Sequence, residues 1–119
     1  MKIISPKGDE DEVEEYPGIH VGGLYTVLEI MAGPDYYCVR IWGDHEEDPG
    51  TLWAPEMFET VDQRVSSRWT VSMNAGHMRF APAAWQRPGF WNDYFDREPA
   101  AVDSVRSEIA LLLEEHRVG

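Results

Sequence analysis

Two dense runs of carboxylates are the residues here whose types and spacing could do chemistry: Asp9, Glu10, Asp11, Glu12, Glu14 and Glu15, then Asp44, Glu46, Glu47 and Asp48. Such runs can hold a divalent ion, exchange protons or attract a basic surface. The stretch Asp44-His45-Glu46-Glu47-Asp48 supplies oxygen and nitrogen donors. It lacks the Asp-x-Asp-x-Asp-Gly spacing with a distal Glu that wraps calcium, and neighbouring residues of an extended loop point in different directions. A solvated loop is therefore expected. His20, His45, His77 and His116 are scattered, with no His-x-His or His-Glu-x-x-His spacing, so no metal site is expected. Acid–base work needs a carboxyl whose pKa is raised in a desolvated cleft, and abundance alone does not provide one.

Nucleophilic chemistry has equally little support. Cys38 is the only cysteine, which excludes an intrachain disulfide and a cysteine-based zinc cage. It lies between Tyr37 and Val39 in an apolar stretch, where a small buried hydrophobe is the expected role. There is no Gly-x-Ser-x-Gly elbow, no phosphate-binding glycine loop and no dinucleotide fingerprint. No catalytic residue and no cofactor is expected, and the chain reads as a non-enzyme.

Recognition by charge remains. Residues 1 to 62 carry fifteen Asp or Glu against Lys2, Lys7 and Arg40, a net of −12; the remainder carries seven acids and seven arginines, a net of zero. The whole net negative charge of the protein thus sits in one half. A field of that sign steers basic surfaces inward and repels nucleic acid and anionic membranes. Self-repulsion destabilises the compact state, and a basic protein partner offsets that cost. Trp42 and Trp53 flank the second run and are expected to serve as apolar anchors beside it. The expected partner-binding set is thus Asp9, Glu10, Asp11, Glu12, Glu14, Glu15, Trp42, Asp44, Glu46, Glu47, Asp48 and Trp53.

The elements that must position these residues follow from pattern. At 119 residues with 43% hydrophobic content, the chain suits one domain with a real core. Ile3 and Ile4 are too short an apolar pair for a signal peptide, no stretch suits a membrane span, and a cytoplasmic setting is expected. Residues 1–18 read as an acidic segment, 19–81 as a β-rich part, 82–98 as an aromatic segment and 99–117 as a helix. Leu24–Ile30 and Tyr36–Trp42 are rich in β-branched and aromatic residues and flank Gly33-Pro34-Asp35, which predicts an antiparallel hairpin. Thr51–Trp53 and Met57–Val61 predict short strands around a turn at Pro55. Arg68–Met73 and His77–Phe80 predict a second hairpin across Asn74-Ala75-Gly76, with a bulged or three-to-five-residue loop. Trp91, Tyr94 and Phe95 lie at helical spacing in the aromatic segment, which is expected to pack as a lid on the core. Val102, Val105, Ile109 and Leu112 predict an amphipathic helix from about Pro99 to His116.

Gly23-Leu24-Tyr25-Thr26-Val27-Leu28, the Tyr-rich stretch that follows, and Met57-Phe58-Glu59-Thr60-Val61-Asp62 together resemble small SH3-like barrel proteins of bacteria and phages over residues 20–62. There a G-x-Y-x-V strand opens the barrel and an F-E-x-V strand closes it, so the resemblance implies fold and not activity. In general style the chain is also similar to the small acidic immunity proteins that accompany bacterial toxins. The expected fold is α+β: an antiparallel small barrel or curved sheet, then the aromatic segment and the C-terminal amphipathic helix. The expected function is inhibitory binding to a basic partner, a toxin such as a nuclease. The alternatives are a phage-encoded anti-CRISPR or DNA-mimic protein, which would spread its carboxylates at the phosphate repeat, and a ligand-binding or enzymatic barrel, which would need a concave pocket.

Overall fold

The computed structural model describes residues 3–6, 18–44, 49 and 51–118. Seven strands form an antiparallel sheet: β1 (Ile3–Pro6), β2 (Tyr25–Ala32), β3 (Tyr37–Ile41), β4 (Leu52–Trp53), β5 (Phe58–Asp62), β6 (Trp69–Asn74) and β7 (His77–Pro82). Two α-helices follow, α1 (Phe90–Phe95) and α2 (Pro99–Val118). The order β4-β3-β2-β1-β5 runs along one path, and the β6–β7 hairpin joins it through β7 and β2. The sheet is not closed among the described residues: an open antiparallel sheet is present, and a closed barrel is not. No helix is long and apolar enough to cross a membrane among the described residues.

β2 organises the rest because it serves both parts of the sheet. Its start pairs with β1 (Ile4 opposite Tyr25), and its end pairs with β7 (Ile30 opposite Phe80). On its other edge it pairs with β3, and the register slips between Val27 and Glu29. That bulge inserts Leu28, so Leu28 and Glu29 both turn to the helical side of the sheet while Val27 stays on the opposite side. The indole N–H of Trp69 donates to the Leu28 carbonyl at 2.8 Å, which satisfies a group the bulge takes out of the ladder.

Two cores result, one on each face. Leu28, Ala81, Trp85, Phe90, Tyr94 and the helical stripe Ala101, Val105, Ile109 and Leu112 form the first. Ile4, Ile19, Tyr25, Val27, Val39, Ile41 and Phe58 form the second. The stripe on α2 begins at Ala101, since Val102, which the 3-4-3 spacing selected, is only partly buried. Trp85, Phe90 and Tyr94 are buried and Phe95 is exposed, so the aromatic segment belongs to the core.

One element goes beyond the expected set, and two expectations need correction. Ile3–Pro6 is a strand, held between β2 and β5; four residues are too few to show alternation, and pairing on both edges makes the element. The β6–β7 loop holds two residues, not three to five: Asn74 pairs with His77, and Ala75 (φ 50°) and Gly76 (φ 83°) both lie in the left-handed region, the geometry of a turn that matches strand twist. Cys38 is half-buried, not buried; burial still pushes its thiol pKa up, against the lowering effect of Arg40.

Candidate functional site

Of the expected binding residues, Trp42, Asp44 and Trp53 lie among the described residues, and Asp9, Glu10, Asp11, Glu12, Glu14, Glu15, Glu46, Glu47 and Asp48 lie outside them. The structure fixes the ends of the segments that carry these runs. The backbone N–H of Asp44 donates to the Gly18 carbonyl at 2.7 Å. Gly43 makes this approach possible, because a Cβ there would stand 2.8 Å from the Gly18 oxygen. Gly18 lies three residues after Glu15, and Asp44 opens the second run. The chain therefore leaves one acidic run and enters the other at a single hydrogen-bonded point.

Side chains reinforce that point. The Tyr25 hydroxyl accepts from the His20 backbone N–H at 2.8 Å and donates to Asp44 Oδ1 at 2.9 Å. His20 Nδ1 lies 2.9 Å from both Asp44 carboxylate oxygens. A Cβ at position 23 would fall 2.5 Å from the Tyr25 hydroxyl, so Gly23 leaves the room that the phenol occupies. Burial, and then the hydrogen bond to the Asp44 carboxylate, push the Tyr25 pKa up to about 12. The ring is 3% exposed while His20 and Asp44 are exposed, so a core residue of β2 holds a surface carboxylate in place.

The far end of the second run is tied to the interior. The Pro49 carbonyl accepts from Arg40 Nη1 at 2.7 Å. Arg40 Nε donates to Glu29 Oε1 at 2.7 Å, and Arg79 Nη2 donates to Glu29 Oε2 at 2.9 Å. The Arg40 guanidinium carbon also stands 3.7 Å from the centre of the Trp91 ring, a cation–π contact away from water. Glu29 is fully buried and Arg40 is 3% exposed. This clamp was readable in principle: with a turn centred on Pro34-Asp35, the only charges inside the two strands, Glu29 and Arg40, fall opposite each other, as observed.

Among the described residues, five arginines pair with carboxylates away from Asp44. Arg40 and Arg79 hold Glu29, Arg64 holds Asp62, Arg68 holds Glu108 and Arg87 holds Asp93. None of these carboxylates belongs to residues 9–15 or 44–48. The Asp62 carboxyl is held well below the usual range by hydrogen bonds from Arg64.

Trp42 and Trp53 do not share a surface. Trp42 packs against the helical core, whereas Trp53 packs in the other core, edge-to-face on Phe58 with ring centroids 6.2 Å apart. Of the two, only Trp42 adjoins the second feature of this region, a groove of about 580 Å³ between α2 and the residues Trp42 and Pro49 that flank the second run. Trp42, Pro49 and Tyr94 line it together with Val105 and Ile109, and Arg97 and Arg106 contribute charge. No sequence pattern pointed to it, because its walls come from segments joined only by folding. No family model, curated protein or solved structure matches this chain.

Proposed function

We propose that this protein is a non-enzymatic inhibitory binding protein that presents the carboxylates of residues 9–15 and 44–48 to a basic protein partner, in the manner of an immunity protein that blocks a cationic toxin such as a nuclease. One observation carries the reading: the Asp44-to-Gly18 bond joins the ends of the two acidic runs, while five arginines are bound to carboxylates outside them. Carboxylates brought together in this way attract an external cation. Blocking is by occlusion, with carboxylates paired to the Lys and Arg that the partner uses on its own substrate. Trp42 supplies an apolar neighbour to the second run; Trp53, on the other face, contributes to the core.

The test uses matched charge removal. One variant carries Asp44→Asn, Glu46→Gln, Glu47→Gln and Asp48→Asn; the other carries Asp96→Asn, Glu98→Gln, Asp103→Asn and Glu114→Gln. With a cationic nuclease as probe at low salt, the first variant is expected to associate about tenfold more slowly than the parent and the second far less so, with the parent rate falling steeply as salt rises. Equal rates for the two variants would remove the reading.

The groove favours a second reading, a site for a small ligand, since its volume lies in the range of such pockets. Its apolar walls and two guanidiniums suit an amphipathic carboxylate. Titration with decanoate, read by Trp42 fluorescence, separates the two: saturable binding lost in Arg106→Ala supports the ligand site, and no signal removes it.

A further inference from the structure

β6 forms an edge of the sheet, pairing only with β7 among the described residues. The register shows which of its backbone groups face outward. The two-residue loop makes Asn74–His77 a hydrogen-bonded pair, and such pairs recur at every second residue, so Ser72–Arg79 and Thr70–Ala81 are bonded as well. Two observations agree with that phase. Pro82, which has no N–H to give, lies opposite Trp69 in a non-bonded pair, and the Trp69 N–H turns away to the Ser66 carbonyl. The N–H and C=O groups of Val71 and Met73 therefore point out of the sheet.

This edge carries none of the usual devices against pairing, which are lysine, proline, a bulge or an inward charge. Its sequence, Trp-Thr-Val-Ser-Met-Asn, holds no ionisable side chain, in a protein of net charge −12. Val71 is 57% exposed and Met73 is 73% exposed. Both stand on the face of the sheet that continues through Met78 and Phe80 to Ile30. A second copy of the chain brings the same net charge, and β6 is a stretch along which neither copy places a carboxylate of its own strand.

We infer that β6 pairs antiparallel with β6 of a second copy, across a two-fold axis at Ser72, to form a continuous sheet through a symmetric dimer. In this register Val71 of each copy faces Met73 of the other, and the two residues exchange both backbone bonds, which gives four hydrogen bonds and a small apolar cluster. A pair of short strands buries less than a standard interface, so the dimer forms reversibly and depends on concentration. It also strengthens as salt rises, because salt screens the repulsion between the copies. That dependence is opposite in sign to the one expected for a basic partner.

Sedimentation equilibrium of the full chain tests this at low and high salt. The expected result is a mass that rises from 13.6 kDa toward twice that value with concentration, further at high salt. Met73→Lys adds a charge at an exposed position, and Val71→Pro removes an outward N–H that β7 does not use, which is tolerated on an edge. Both are expected to remain monomeric with unchanged circular dichroism and thermal midpoint. A parent that stays monomeric at every concentration and salt overturns the inference and leaves the edge to an extended segment of another protein. A dimer that persists in both variants overturns it too.

Discussion

Glu29 and Asp44 each tie remote parts of the chain together, yet their surroundings differ in every respect that matters to function. Glu29 is sealed in the helical face of the sheet, and its two oxygens are taken by Arg40 and Arg79. Asp44 sits at the surface and is met by a phenol and an imidazole. Two guanidiniums compensate the charge of Glu29 and oblige it to remain an ion pair, since a buried charge without a partner is costly. A phenolic hydroxyl satisfies the geometry of Asp44 without bringing a fixed positive charge, so its field still reaches solvent. One carboxylate builds the molecule and the other is displayed by it.

The largest effect that could break this contrast is at Glu29. Glu29→Gln leaves Arg40 charged, buried and without its counter-ion, and a loss of about 3–5 kcal/mol in urea unfolding is expected. Asp44→Asn should cost far less, and equal costs would end the distinction. A smaller effect sharpens the surface side. Tyr25→Phe removes the hydroxyl that meets the His20 N–H, the His20 imidazole and the Asp44 carboxylate, and should cost about 1 kcal/mol. The phenol pKa is raised in the fold, so its contribution is full below pH 10 and is lost as pH climbs toward 12. Stability of the parent followed from pH 9 to 12 should fall through that window more steeply than that of Tyr25→Phe, with tyrosinate absorbance reporting the titration. The smallest effect calibrates the other two at a place that touches neither carboxylate. Ala75 holds φ 50° in the β6–β7 turn, where asparagine is at ease and alanine is not. Ala75→Asn should add about 0.5–1 kcal/mol, read as a rise in thermal midpoint.

Where a residue run is long enough to show its own period, the fold was legible. Tyr25–Ala32, Tyr37–Ile41 and the helix from Pro99 stand within a residue or two of their expected places, because β-branched density and apolar spacing are local properties. β1 was not legible, since two isoleucines have no period and their burial comes from strands far along the chain. The candidate site was proposed from charge alone. That Asp44 is a surface carboxylate follows from its neighbours in sequence, whereas its attachment to Tyr25 and His20 depends on two loops crossing. The separation of Trp42 from Trp53 lay equally beyond reach, because it requires knowing that β4 returns beside Val39.

The position of β1 has a kinetic consequence. Ile4 pairs with Tyr25 on one edge and Thr60 on the other, so this strand must wait for one made much later before both its edges are satisfied. Contacts of such long separation close late, after local hairpins have formed. The stretch between Pro6 and Gly18, which carries the first acidic run, is bounded by that late closure. In a nascent or partly folded chain the two ends of that stretch are therefore not yet held, Pro6 by β5 and Gly18 by Asp44.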